Sequence, residues 1–152
     1  MATQTILEAL TEANDTAKIR TMAFANIQEF QSFQDSFTFQ DYPANVIVPP
    51  SITGSRTNNL NKAVINIQGW VIQRIPEDTD NYRSVKIEEI YMKPMREYAI
   101  KFVNALLESD IVDPEVEPVA WTIRPEYMFL PNHLFGVSYT VNLPTNQSIC
   151  TY

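Results

Sequence analysis

His133 is the only histidine and Cys150 the only cysteine in the chain. Any Ser–His–Asp, Cys–His or zinc-binding arrangement would have to be built on them. His133 follows Pro131 and Asn132 at the expected start of a strand, and no G-x-S-x-G turn occurs elsewhere to present a nucleophile. One histidine and one cysteine fall short of the ligands that zinc takes. Asp110, Asp113, Glu115 and Glu117 alternate loosely enough to surround calcium, but the stretch lacks the glycine turn and the closing bidentate glutamate of a regular calcium loop. Glu88 and Glu89 are adjacent, so on a helix they diverge rather than pair as acid and base. Phe30, Phe33, Phe37 and Phe39 are interleaved with Gln, Ser, Asp and Thr, an alternation that can stack on single-stranded nucleic acid. Asp35 and Asp41 in place of basic residues argue against it, and contact with the core or with a neighbouring subunit is the better expectation. A small enzyme would have to assemble its site from Arg124, Glu126, Tyr127 and His133, without a paired base and nucleophile. No catalytic, cofactor or metal site is therefore expected.

Composition narrows the classes further. A chain of 152 residues, 45% of them hydrophobic, is most simply one domain with a real core. A lone cysteine allows no internal disulfide, so packing alone must hold the fold, and a reducing compartment is expected. No apolar run approaches a membrane span, and the N-terminus shows no basic region followed by an apolar one. A net charge of −7 argues against gripping nucleic acid, although not against a wall that DNA slides past. Three glycines and ten prolines speak for stiffened loops rather than glycine-rich phosphate cradles.

The elements that must position these residues follow from spacing. Met95, Ala99, Phe102, Val103 and Leu106 recur at helical intervals within a helix expected from Ser84 to Leu107, with a kink or restart at Pro94. Phe135, Val137, Tyr139, Val141 and Leu143 alternate with smaller and polar residues, which predicts a strand from Leu134 to Leu143. The helix stripe and the strand face are expected to pack on each other, with Phe102 and Leu106 over Val137, Tyr139 and Val141. Upstream, Thr3 to Phe33 reads as one bent helix or two short ones, interrupted at Asn14, Asp15 and Thr16. Asn45 to Val48 and Ala63 to Ile75 read as strands. The polar stretch between them, Ser51 to Lys62, has the composition of a loop, which at this length is usually functional or disordered. Trp70 and Ile72 fall on the otherwise polar side of the long strand, so that side is expected to be partly covered, and Gly69 marks a bulge or a close backbone approach. Val119 to Ile123 is a strand, Arg124 to Asn132 a connection, and the last strand ends at Pro144. The expectation is an α+β fold in the order α-β-β-α-β-β, an antiparallel sheet with helices packed on one face. It forms one domain over residues 1–144, with residues 1–35 a helical region, 36–144 the sheet and main helix, and 145–152 a tail.

The segment IYMKPMREYAIKFVNALLESDIVDPEVEPVAWTIRPEYMF, with HLFGVSYTVNLP after it, resembles small neck and tail proteins of tailed bacteriophages. It is most similar to the ring proteins stacked beneath the portal in crAss-like phages, short-tailed phages of gut Bacteroidota. The likeness covers a little over half the chain, roughly Ala63 to Pro144. It rests on the proline-headed helix at Lys93, Pro94, Met95 and Arg96, the strand at Trp121, Ile123, Arg124 and Pro125, and the strand at Gly136, Val137, Ser138 and Tyr139. The N-terminal helical region departs from small terminators, where a shorter helix is usual.

The resemblance implies a tail-terminator or tail-completion fold and a head-to-tail connector role. The expected protein is a non-enzymatic virion component, made in the bacterial host cytoplasm and assembled as a ring of twelvefold or sixfold symmetry. It would meet the portal and other neck or tail rings and pass DNA without sequence-specific binding, with no membrane partner. Phe37, Phe39, Arg56, Trp70 and Ile72 are the candidate subunit contacts. The alternative is an adaptor domain that binds one protein partner as a monomer or dimer.

Overall fold

The computed structural model describes residues 4–26, 28–29, 39–57, 60–74, 88–113, 120–130 and 134–145. Among the described residues it is a mixed α+β structure whose main elements are six strands and two α-helices. In chain order these are α1 (Ile6–Ala17), β1 (Thr21–Phe24), β2 (Ala44–Ile47), β3 (Ser51–Thr57), β4 (Leu60–Arg74), α2 (Lys93–Leu107), β5 (Trp121–Leu130) and β6 (Leu134–Thr145). The sheet order is β1-β2-β4-β6-β5, with β3 paired to β4 beside that path. All pairings are antiparallel except β1 with β2. The order thus differs from the expected one by two additional strands, β1 and β3, and the sheet is not purely antiparallel.

The first difference lies in the predicted N-terminal helix. The side chain of Thr5 caps α1 by accepting from the Glu8 amide at 3.0 Å. Twelve residues later the helix ends at Lys18, which takes the left-handed conformation at φ 60°. The Ile19 amide reaches back to the Asn14 carbonyl at 3.2 Å and the Lys18 amide to Asp15 at 3.0 Å. That pair of bonds is a Schellman motif, closed by the buried Ile19. Lysine stands where glycine is the usual signal, so the apolar spacing of Ile19 and Ala23 reads on as helix although the backbone has turned into β1.

The predicted Ser51–Lys62 loop is the second difference. It is β3, a two-residue connection, and the first three residues of β4, with Thr57 opposite Leu60. Its first four residues are exposed. The predicted connection after Ile123 is likewise strand, because β5 runs on to Leu130 through Pro125. The Asn142 amide donates to the Ala120 carbonyl at 3.2 Å. That parity puts Pro125, opposite Val137, at a position whose missing N–H points off the sheet edge, where it costs no ladder bond. β6 also continues past Pro144 to Thr145. The Pro144 carbonyl, beyond the end of β5, accepts from the Asp113 amide at 2.8 Å.

Pro94 falls in the first turn of α2, as a restart there requires. A π-helical turn, Glu88–Met92, precedes it, tied by the Glu88–Arg96 ion pair. Residues 84–87 of the predicted helix lie outside the described residues. The stripe Met95, Ala99, Phe102, Val103 and Leu106 is buried, as is Val137, Tyr139 and Val141 of β6, in one core with Ile65, Ile67 and Val71 of β4. α1 adds Ile6, Ala9, Leu10 and Ala13 to the same core. Both helices therefore cover one face of the sheet.

Candidate functional site

A chain of buried polar groups crosses the interior and begins at Tyr139. The Tyr139 O–H donates to Asn45 Oδ1 of β2 at 2.6 Å. Asn45 Nδ2 donates to Asn14 Oδ1 of α1 at 3.1 Å, and Asn14 Nδ2 donates to the Ile19 carbonyl at 3.0 Å. The relay joins the last strand, the second strand and the end of the first helix. It exists because Gly69 lies directly between β6 and β2, opposite Tyr139 on one side and Ile47 on the other. A Cβ at Gly69 would sit 2.3 Å from the Val46 carbonyl and 2.8 Å from the Tyr139 hydroxyl. The close backbone approach expected at this glycine is thus what lets the phenol cross β4. The Phe102 ring holds the phenol from above, with centroids 5.2 Å apart. Burial pushes the Tyr139 hydroxyl far above the ordinary phenol range, and the Asn45 contact only partly opposes it. The hydroxyl is therefore a fixed donor, not a base, and its work is to hold elements in register.

The surface opposite the helices has a different character. By cross-strand register Thr122 and Arg124 of β5, Ser138, Thr140 and Asn142 of β6, and Asn66, Gln68 and Trp70 of β4 share it. Asn66 donates to the directly opposite Asn142 at 2.8 Å. Thr122, Arg124, Ser138 and Thr140 line an open concavity of about 360 Å³. Toward β2 the same face closes, with Ala44, Val46 and Ile72 buried.

These placements sort the candidate contact residues. Ile72 is fully buried within the single chain, opposite Ala44, so its burial needs no second subunit. Trp70 is half-buried opposite Val46, which agrees with a partly covered face. Arg56 lies on β3 opposite Asn61, and Phe39 opens a short 3₁₀ turn, Phe39–Asp41. Phe37, His133 and Cys150 lie outside the described residues, as do Glu115 and Glu117. Of the four residues an enzyme reading would use, Arg124 is an exposed side chain of β5, and Glu126 and Tyr127 follow on the same strand.

Several apolar side chains stand in water, among them Leu7, Ile90 and Ile100 of the helical elements and three on the sheet. Ile52 of β3 (45% exposed) and Val64 of β4 (41%) project from opposite faces of the hairpin, and Trp121 of β5 is 47% exposed. Val64 falls on the side of the strand read from Ala63 to Ile75 that otherwise carries mostly polar residues, so period-two alternation was the available signal. Among the described residues no three His, Cys, Asp or Glu side chains come together as metal ligands, and no helix is long and apolar enough to cross a membrane. Compared with known proteins, the sequence matches no family profile and none of the curated proteins.

Proposed function

We propose that the chain is a structural virion protein of a tailed phage, a ring subunit of the neck or tail that joins portal to tail and surrounds the DNA channel, with a tail-terminator-like fold. The observation that carries this reading is the β3–β4 hairpin. Its strands continue past the helix-covered core, β4 running three residues beyond its last pair with β6, and it exposes Ile52 and Val64 on its two faces. Residues 51–54 of this arm are exposed, and apolar groups set on both sides of a ribbon are suited to lying between neighbours. The strongly acidic balance supports the same reading, since an acidic conduit repels phosphate and lets the duplex slide. Resemblance to crAss-like ring proteins over the second half supplies the place in the particle.

The test is a reconstruction of virions together with identification of their proteins. Multiple copies around the DNA axis, hairpins contacting adjacent subunits and a net acidic lining are expected. Finding the chain packed inside the capsid, scattered over the shell or missing from particles would refute the proposal. A soluble one-to-one complex with a single partner and no place in the particle would favour the adaptor reading instead.

A further inference from the structure

The helix layer exposes Glu8, Glu12, Asp15, Glu97, Glu108 and Asp110 together with Lys18, Lys93 and Lys101, and the groove between its two helices is lined by the acids Glu12 and Glu108 and by no base. On the other side, the concavity between β5 and β6 is lined by one guanidinium and three hydroxyls. Arg124 and Ser138 are directly opposite in register, as are Thr122 and Thr140, so the four groups form a compact square. Arg124 is exposed and, among the described residues, makes no ion pair or hydrogen bond. A guanidinium fork flanked by hydroxyl donors is matched by a carboxylate, which only accepts.

We infer that this square is a carboxylate-binding contact, and that its occupant is the acidic groove between α1 and α2 of a second copy of the chain. The inference rests on the ring reading and gives its interface a direction. Glu12 of α1 and Glu108, just past α2, supply the carboxylates. Both are exposed, and they flank a groove of about 210 Å³ floored by Ala9, Ala13 and Ala105, which lets another surface approach closely. The donor square and the acid pair lie on opposite sides of the sheet. One copy using both engages two neighbours, a head-to-tail contact that propagates around a ring and cannot saturate as a simple pair. A duplex is a poor occupant, because one guanidinium neutralises one phosphate while the rest of the chain repels it. A free small anion is a poor occupant as well, since the concavity is open and would leave it largely in water.

The test is sedimentation of the full chain over a range of concentrations at low and high salt. The variants are Arg124→Glu, the pair Glu12→Lys with Glu108→Lys, and all three together, with urea melts to confirm that each is folded. Self-association that weakens with salt is expected for the parent. A like-charge contact in either partial variant should weaken it by at least about tenfold. The triple variant, with the charges exchanged, should recover most of that loss. Three results would each overturn the contact: a parent monomeric throughout, an Arg124→Glu variant that associates as the parent does, or a triple variant that fails to recover. Rings unaffected by Arg124→Glu would remove this contact and leave the ring reading standing. Charge-dependent association of a chain absent from virions would do the reverse.

Discussion

Replacing Tyr139 with Phe removes one oxygen from the centre of the molecule and should cost about 1–3 kcal/mol, the usual penalty when a buried polar group loses its partner. The figure follows from the geometry of the relay. The Phe102 contact and the aromatic volume survive the change, so no cavity opens. What is lost is the 2.6 Å bond to Asn45 Oδ1, and Asn45 is fully enclosed, so water cannot replace the donor. Urea denaturation followed by circular dichroism should show a lower midpoint with the slope unchanged, because the surface exposed on unfolding is the same. A cycle with Asn45→Ala should give a coupling energy of about 1 kcal/mol or more between the two positions. The same hydroxyl makes stability depend on alkaline pH. Its folded-state pKa is raised by burial while the unfolded phenol titrates near 10. The contribution is therefore complete below about pH 10 and is lost above it, as the unfolded chain alone releases the proton, by up to about 1.4 kcal/mol per pH unit. The Phe variant should lack that part of the slope. A variant within about 0.5 kcal/mol of the parent at neutral pH, with an unchanged alkaline limb, would refute the account of the relay.

Other substitutions probe the frame around it. Phe102→Ala should cost about 3–5 kcal/mol in the same denaturation assay, since a fully buried ring is removed from both the helix stripe and the Tyr139 contact. Gly69→Ala should cost about 3 kcal/mol, because the new methyl meets a backbone carbonyl that can move only if β2 shifts. Amide exchange in β2 should accelerate with it, and unaltered protection would contradict the steric argument. Lys18→Gly should raise stability by about 1 kcal/mol, relieving a left-handed residue that carries a side chain. Loss of stability there would mean that the lysine side chain supports the turn.

The main packing unit was legible in the sequence because both of its periodicities are clean. Met95 to Leu106 and Phe135 to Leu143 obey helical and strand spacing without interruption, and Phe102 does meet Tyr139. The restart at Pro94 and the close approach at Gly69 were legible for a similar reason, since each residue type has few structural uses. What failed lacked a local marker. Lys18 ends a helix without the glycine that announces such an end. Residues 51–54 pair with 63–66 of β4 and residues 55–57 with 60–62, a register that their polar composition does not announce. Pro125 signals a break only when the strand has neighbours on both sides, and β5 lies at an edge. For the candidate contacts, Ile72 looked stranded on a polar face because its cover, opposite Ala44, depends on a pairing between distant segments. The square around Arg124 was equally invisible, because Thr122 and Arg124 meet Ser138 and Thr140 only through β-sheet register.

The length of β4 has a mechanical consequence. One continuous strand forms the hairpin arm at its first end and, further along, pairs with β2 on one side and β6 on the other. A pull on the arm along its axis is not borne by a hinge or a flexible stem. It enters β4 directly and is resisted as shear by the twelve residue pairs with β6, from Ala63–Thr145 to Arg74–Leu134. Antiparallel ladders loaded this way must break their cross-strand bonds together rather than one at a time. A tug on the tip is thus delivered to the middle of the sheet as a stiff rod would deliver it, with the helices on one face moving as a single body with the arm.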